Sequence, residues 1–321
     1  LAKGNPERQQ AYKTKLIQKI EQAPRLVDVI FRENSISYFR YSPDGSRYFV
    51  AESAGAYAPS DISFYESSTG RLLHKEALPG RMRSAKFSHD GKFLYTHSGE
   101  GTVKVWDVAK AKALHTFDKH GGWVGNKLGD SLDNSLLAVP VRGFNTGVIV
   151  WDLNSGNKRF PLLATDHHCH SAAISRDGRY LAGTTGNWGF DNFGAIYVWA
   201  LMPDQHPKLI YQIDIGKPVH WVDFSPMNDS FVIGCGNFND DDGPYYAQVF
   251  DAKTGQPTTE RIGHISAVKQ AKFSPDGRWV LTGSVDGTAQ TWDARTGASV
   301  SAPMVHEGEL NNVDFSPDGA L

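Results

Sequence analysis

The densest set of ligand-type side chains is Asp166-His167-His168-Cys169-His170. Imidazole and thiolate are donors that zinc prefers, so the run raises the question of a metal site. On an extended strand, however, consecutive side chains point to opposite faces, and neighbours in sequence cannot all reach one ion. The run reads as a polar binding surface or a plain loop, with one histidine in a structural bond. No metal and no other cofactor is assigned. A second cluster, Asn239-Asp240-Asp241-Asp242-Gly243, has the carboxylates of a calcium loop without their spacing, because Phe238 stands where the alternating acidic pattern needs Asp. An exposed acidic hairpin tip fits it better. The two cysteines, Cys169 and Cys235, allow one disulfide at most and read as ordinary buried thiols.

Gly129-Asp130-Ser131-Leu132 spells the nucleophile motif of one esterase family, which sets it near the start of an α/β fold with distant Asp and His partners. Here it falls where other parts of the chain carry Ser-Pro-Asp-Gly, so a degenerate turn is the better reading. Neither a Gly-x-x-x-x-Gly-Lys phosphate loop nor a His-Glu-x-x-His pair is present. No catalytic residue is assigned, and the chain reads as non-enzymatic.

The elements that must carry these residues repeat. Tyr41-Ser42-Pro43-Asp44-Gly45 returns as Phe87-Ser88-His89-Asp90-Gly91, Ile174-Ser175-Arg176-Asp177-Gly178, Phe273-Ser274-Pro275-Asp276-Gly277 and Phe315-Ser316-Pro317-Asp318-Gly319, with weaker copies at 128–134 and 224–228. From Asp44 through Asp90, Asp133, Asp177, Asn228 and Asp276 to Asp318 the steps are 46, 43, 44, 51, 48 and 42 residues. Alternating apolar stretches flank each copy, which predicts strand, tight turn, strand: Pro presets φ, Asp caps the turn, and Gly takes the positive φ. Tyr65, Trp106, Trp151, Trp199, Phe250 and Trp292 recur in step, most with an acidic residue after them. In four cases a Gly follows five residues later (Gly70, Gly156, Gly255, Gly297). One unit is therefore four strands in about 45 residues, and a lone sheet apolar on both faces needs neighbours to hide it from water.

These units resemble tryptophan–aspartate (WD) repeats, the blades of a β-propeller, over residues 35–321. The resemblance implies an all-β propeller with six full blades and the start of a seventh across 25–321, preceded by a short helix or linker at 1–24. In that reading residues 26–31 supply a ring-closing strand. Blade six is the most faithful copy. By resemblance, His264, Ser284, Asp286 and Trp292 form a hydrogen-bonded chain tying adjacent strands, whereas blade two keeps only Ser98 and Trp106 of that set. The 1–24 helix would start at Asn5-Pro6 and show an apolar stripe of Tyr12, Leu16, Ile17 and Ile20 opposite Lys13, Lys15 and Lys19.

Composition narrows the function. With 33 Lys+Arg against 35 Asp+Glu and a net charge of -2, the chain is no wholly basic nucleic-acid binder. No apolar run approaches the roughly 18 residues of a membrane span, so a soluble, cytoplasmic protein is expected. The first residue is Leu1, and we read the chain as a piece of a longer polypeptide. The informative departures from the repeat are insertions between the second and third strands. Sheet one would carry Tyr57 there, sheet three Arg142 and Phe144, sheet four Trp188, Phe190, Asp191 and Phe193, and sheet five Asp240, Asp241, Asp242 and Tyr245. By resemblance these loops share one face around the channel mouth, beside His167 and His168. The expected function is a scaffold that binds a protein or peptide there, with the three aspartates favouring a basic partner. Two other classes compete: a regulatory propeller of a larger bacterial signalling protein, such as a kinase fusion, and an enzyme or small-ligand binder using His167, His168 or His170.

Overall fold

Our computed structural model describes residues 35–315 except 54, 56, 57, 119, 121, 187–192, 203–204, 238–242 and 311. The readings for the 1–24 helix, the 26–31 strand and most of the last turn copy lie outside the described residues. Every described element is a strand, in six antiparallel sheets that follow one another along the chain. Sheet one holds β1 (Ser35–Tyr41), β2 (Arg47–Ser53), β3 (Ser60–Glu66) and β4 (Leu72–Leu78). Sheet two holds β5 (Met82–Phe87), β6 (Phe93–Ser98), β7 (Val103–Asp107) and β8 (Lys112–Phe117). Sheet three is more broken: β9 (Trp123–Val124), β10 (Gly129–Asp130), β11 (Leu136–Arg142), β12 (Gly147–Asp152), β13 (Asn157–Lys158) and β14 (Leu163–Ala164). Sheet four follows with β15 (Cys169–Ile174), β16 (Tyr180–Thr185), β17 (Ala195–Met202) and β18 (Gln205–Asp214). Sheet five has β19 (Val219–Phe224), β20 (Ser230–Cys235), β21 (Tyr245–Asp251) and β22 (Ile262–His264). Sheet six has β23 (Val268–Phe273), β24 (Trp279–Ser284), β25 (Thr288–Asp293) and β26 (Met304–Val305).

The apolar residues do not meet in one centre. They form slabs between consecutive sheets, such as Phe49, Phe64, Leu94 and Trp106 between one and two, and Ile196, Val198, Phe231 and Ile233 between four and five. A sheet with neighbours on both sides must be apolar on both faces, which is why β2 and β16 are buried almost throughout while the outer strand β8 alternates. The first strands pack in succession, β15 on β19 and β19 on β23. Lys127, just before β10, donates to Asp223 on β19 at 2.8 Å, bypassing sheet four. A direct bond between alternate sheets requires the row to curve about an axis. At the far end, Asp314 lies 3.2 Å from Lys272 of sheet six and 3.8 Å from Arg40 of sheet one, so the row comes back on itself. This is an all-β propeller.

Candidate functional site

The connections between second and third strands all leave at one end of the sheets, opposite the Ser-x-Asp-Gly turns. In sheet six the connection is tight, with Gly287 N donating to Ser284 O at 3.3 Å. In sheets three, four and five it is longer, and the roots of those insertions are tied together. Gly143 N donates to His168 Nδ1 at 3.2 Å, and Thr146 Oγ1 donates to Thr165 O at 2.5 Å, joining the sheet-three connection to the entry of sheet four. Gly186 and Gly194 sit so close to Lys217 and Pro218 that an added Cβ would fall 2.7 Å from Pro218 Cβ and 2.0 Å from Lys217 O. Gly236 N, at the root of the sheet-five insertion, donates to Pro218 O at 3.0 Å. Only glycine allows such close backbone approach.

The expected site residues divide. Phe144 stands fully exposed and Arg142 half-buried at the sheet-three root. His167 lies against Phe193 with ring centroids 3.7 Å apart, and Phe193 packs on the slab between sheets three and four, so this ring supports its own loop. Tyr245 is buried, opposite His264 across the β21–β22 pair, and does not face outward. Tyr57, Trp188, Phe190, Asp191, Asp240, Asp241 and Asp242 lie outside the described residues.

The 166–170 run is split between the bend and connection at 166–168 and the start of β15 at Cys169 and His170. Asp166 accepts from Tyr197 OH at 3.0 Å, His168 accepts from Gly143, and His170 turns inward to bond Gly186 O through Nε2 at 3.0 Å. Among the described residues no three His, Cys, Asp or Glu side chains gather closely enough to hold a metal ion. His220 repeats the His170 arrangement one sheet later, bonding Gly236 O at 2.6 Å, and the two rings sit edge to face with centroids 5.6 Å apart. Burial pushes His170 well below the usual imidazole range and His220 down to about 4, aided by neighbouring cations that include Arg142. His220, Arg83 and His97 escaped sequence reasoning. The available signal was register: His170 and His220 each stand second on the first strand of their sheet, and Arg83 holds the same place on β5.

Sheet six contains a bonded chain, with a different member from the one expected. His264 Nδ1 lies 3.2 Å from Asp286 Oδ2, while His264 Nε2 (2.8 Å) and Trp292 Nε1 (2.9 Å) both meet Thr282 Oγ1. Ser284 instead donates to the Ser266 and Ala267 carbonyls and accepts from Asp286 N. Sheet two repeats this, with Trp106 Nε1 donating to Thr96 at 2.9 Å rather than to Ser98. Thr96 and Ser98 share a face at period two, so the indole has two hydroxyls to choose from and reaches the inner one. Ser131 of the esterase-like string donates to Asp133 at 2.6 Å, as Ser88 does to Asp90 and Ser274 to Asp276, and is a turn residue. Cys169 and Cys235 are buried and unbridged, each pushed up to about 12 by burial.

The "WD domain, G-beta repeat" family model matches residues 73–107 and 255–293. Both stretches run from the end of one sheet through the third strand of the next. Among curated proteins, the human "U3 small nucleolar RNA-associated protein 18 homolog" is 31% identical over 118 residues, which is 37% of this chain but 20% of that protein. The Dictyostelium discoideum "Serine-threonine kinase receptor-associated protein" is 24% identical over 244 residues, covering 74% of this chain and 75% of the relative. The Schizosaccharomyces pombe "Target of rapamycin complex subunit wat1" is 26% identical over 185 residues, 56% and 54% of the two chains. The first of these matches thus spans about a fifth of its relative's length. Repeat, sheet order and matches agree: this chain carries WD repeats, matched at 73–107 and 255–293, within a row of antiparallel sheets.

Proposed function

We propose that the chain is a non-enzymatic scaffold that docks a protein or peptide on the face where the insertions of sheets three, four and five emerge. The observation that carries this reading is the tying of three insertion roots through His168 and Pro218, beside a wholly exposed Phe144. An exposed aromatic on a rigid root costs hydration without stabilising the fold, and such groups are typical binding anchors. The names of the relatives, a complex subunit and two associated proteins, support a role in assemblies.

The test is partner capture by the full chain carrying Phe144→Ala and Trp188→Ala, with Met227→Ala as control. Met227 is equally apolar and 68% exposed, but lies in the turn joining β19 and β20 at the opposite end. Capture should fall at least tenfold in the first variant, and Phe144→Ala alone should leave the melting temperature within about 2 °C of the parent, because an exposed position contributes little to stability. Loss of capture on Met227→Ala instead would place docking on the other face. Phe193 is unsuited to this test, since its ring packs on the core.

A further inference from the structure

The channel mouth of the same face gathers cationic groups, opposite in sign to the Asp240-Asp241-Asp242 run that suggested a basic partner. Arg83 comes from the first strand of sheet two, Arg142 from the end of β11, His168 from the entry to β15, His170 from β15, His220 from β19 and Lys269 from β23. Five successive sheets therefore send a cationic or imidazole group to this end. Their proximity is direct: Gly143, next to Arg142, bonds His168, and the His170 and His220 rings touch edge to face. The charges acting on these groups are mutual. Arg142 is disfavoured as a cation first by burial and then by Arg83. His168 is held down by burial, Arg142 and His167, and His220 by burial, Lys269 and Arg142. Lys269 has a carboxylate, Glu309, at 2.7 Å. Gathering like charge at a partly desolvated mouth opposes folding, and an incoming anion relieves it.

We propose that this mouth receives an acidic side chain of the docked partner, with Arg83 and Arg142 as its principal binding groups. The inference rests on the docking face proposed above and specifies its chemistry. A peptide suits the mouth better than a nucleic acid, because the groups named above gather at one opening on a chain of net charge -2. A phosphate backbone would need a basic track along the surface. Guanidinium groups are the natural partners of carboxylates, which they meet with paired N–H donors.

The experiment titrates the full chain with a ten-residue glutamate peptide, a ten-residue glutamine peptide and a ten-nucleotide single strand at low salt. The glutamate peptide should bind and weaken at least tenfold on Arg83→Gln and on Arg142→Gln, with Arg142→Lys in between, since it keeps the charge and loses the paired donors. Arg278→Gln, in the turn at the other end, should change it less than twofold. Arg83 is exposed, so its variant reports charge without touching the core. No binding of the glutamate peptide, binding indifferent to both arginines, or tighter binding of the single strand would each overturn the proposal. If partner capture survives both arginine variants but fails with Phe144→Ala and Trp188→Ala, the acidic assignment falls and the docking face stands. If capture survives all four, both fall.

Discussion

Thr282 is the residue on which the sheet-six network turns, since its buried hydroxyl meets both His264 and Trp292. Thr282→Val keeps the shape and removes both bonds, leaving two buried polar groups without their partner at a cost of about 1–3 kcal/mol. Thr96→Val in sheet two strands the Trp106 indole and should cost less, and urea unfolding of the two variants checks the order. Acid stability depends on other residues. Burial pushes His97, His120 and His220 each down to about 4. The unfolded chain takes up these protons below about pH 6.5, whereas the folded chain refuses them until about pH 4. Stability is therefore complete above pH 6.5 and falls as pH drops toward 4, by about 1 kcal/mol per pH unit for each histidine. The urea midpoint should decline steadily between pH 7 and 5, and a flat profile would contradict this assignment. Asp286 acts in a lower window. Hydrogen bonds from Thr288 and Ile265 outweigh burial and hold it at about 2, so its contribution is lost only between about pH 4 and 2.

The Ser-x-Asp-Gly turn is the repeated device among the elements. In the copies of sheets one, two, three, four and six the serine hydroxyl donates to the aspartate, and that carboxylate accepts the backbone N–H two residues on, as with Asp276 and Arg278 N at 3.1 Å. In sheet five Met227 replaces the aspartate, and its N–H donates to Ser225 Oγ at 3.2 Å. The glycine of the good copies has positive φ, 74° at Gly277. The two weak copies place Asn134 and Asn228 there, at 58° and 63°, and asparagine is the residue other than glycine that best tolerates this region. The turn after the third strand shows the opposite case. Four sheets have glycine five residues beyond the aromatic, but sheet two has Ala111, buried at a φ of 50°. Ala111→Gly should relieve that strain and raise stability by up to about 1 kcal/mol, net of the entropy glycine adds to the unfolded chain. Measured thermal unfolding of this variant below the parent would show that the alanine is not strained.

Across the whole molecule, the sheets are tied to one another by ion pairs. Lys86 pairs with Asp130, Lys127 with Asp223, and Lys272 with Asp314, which also approaches Arg40. Asp223 additionally accepts Phe273 N at 3.1 Å, so it links sheets three, five and six. Asp223→Asn leaves the buried Lys127 charge without its carboxylate and should cost about 3 kcal/mol or more. Lys127→Met should cost less, and equal urea midpoints for the two variants would count against a tie between sheets. The sequence by itself determined the unit: period, turn chemistry and two-sided apolar strands are local, so they survive in a linear reading. Which hydroxyl an indole reaches, that Tyr245 is buried and Phe193 supports its own loop, and that Arg83 and Arg142 of different sheets share one mouth were decided by the tertiary structure. Those facts depend on groups far apart in the chain being brought together when the row of sheets curves, and no local pattern encodes the angle of that curve.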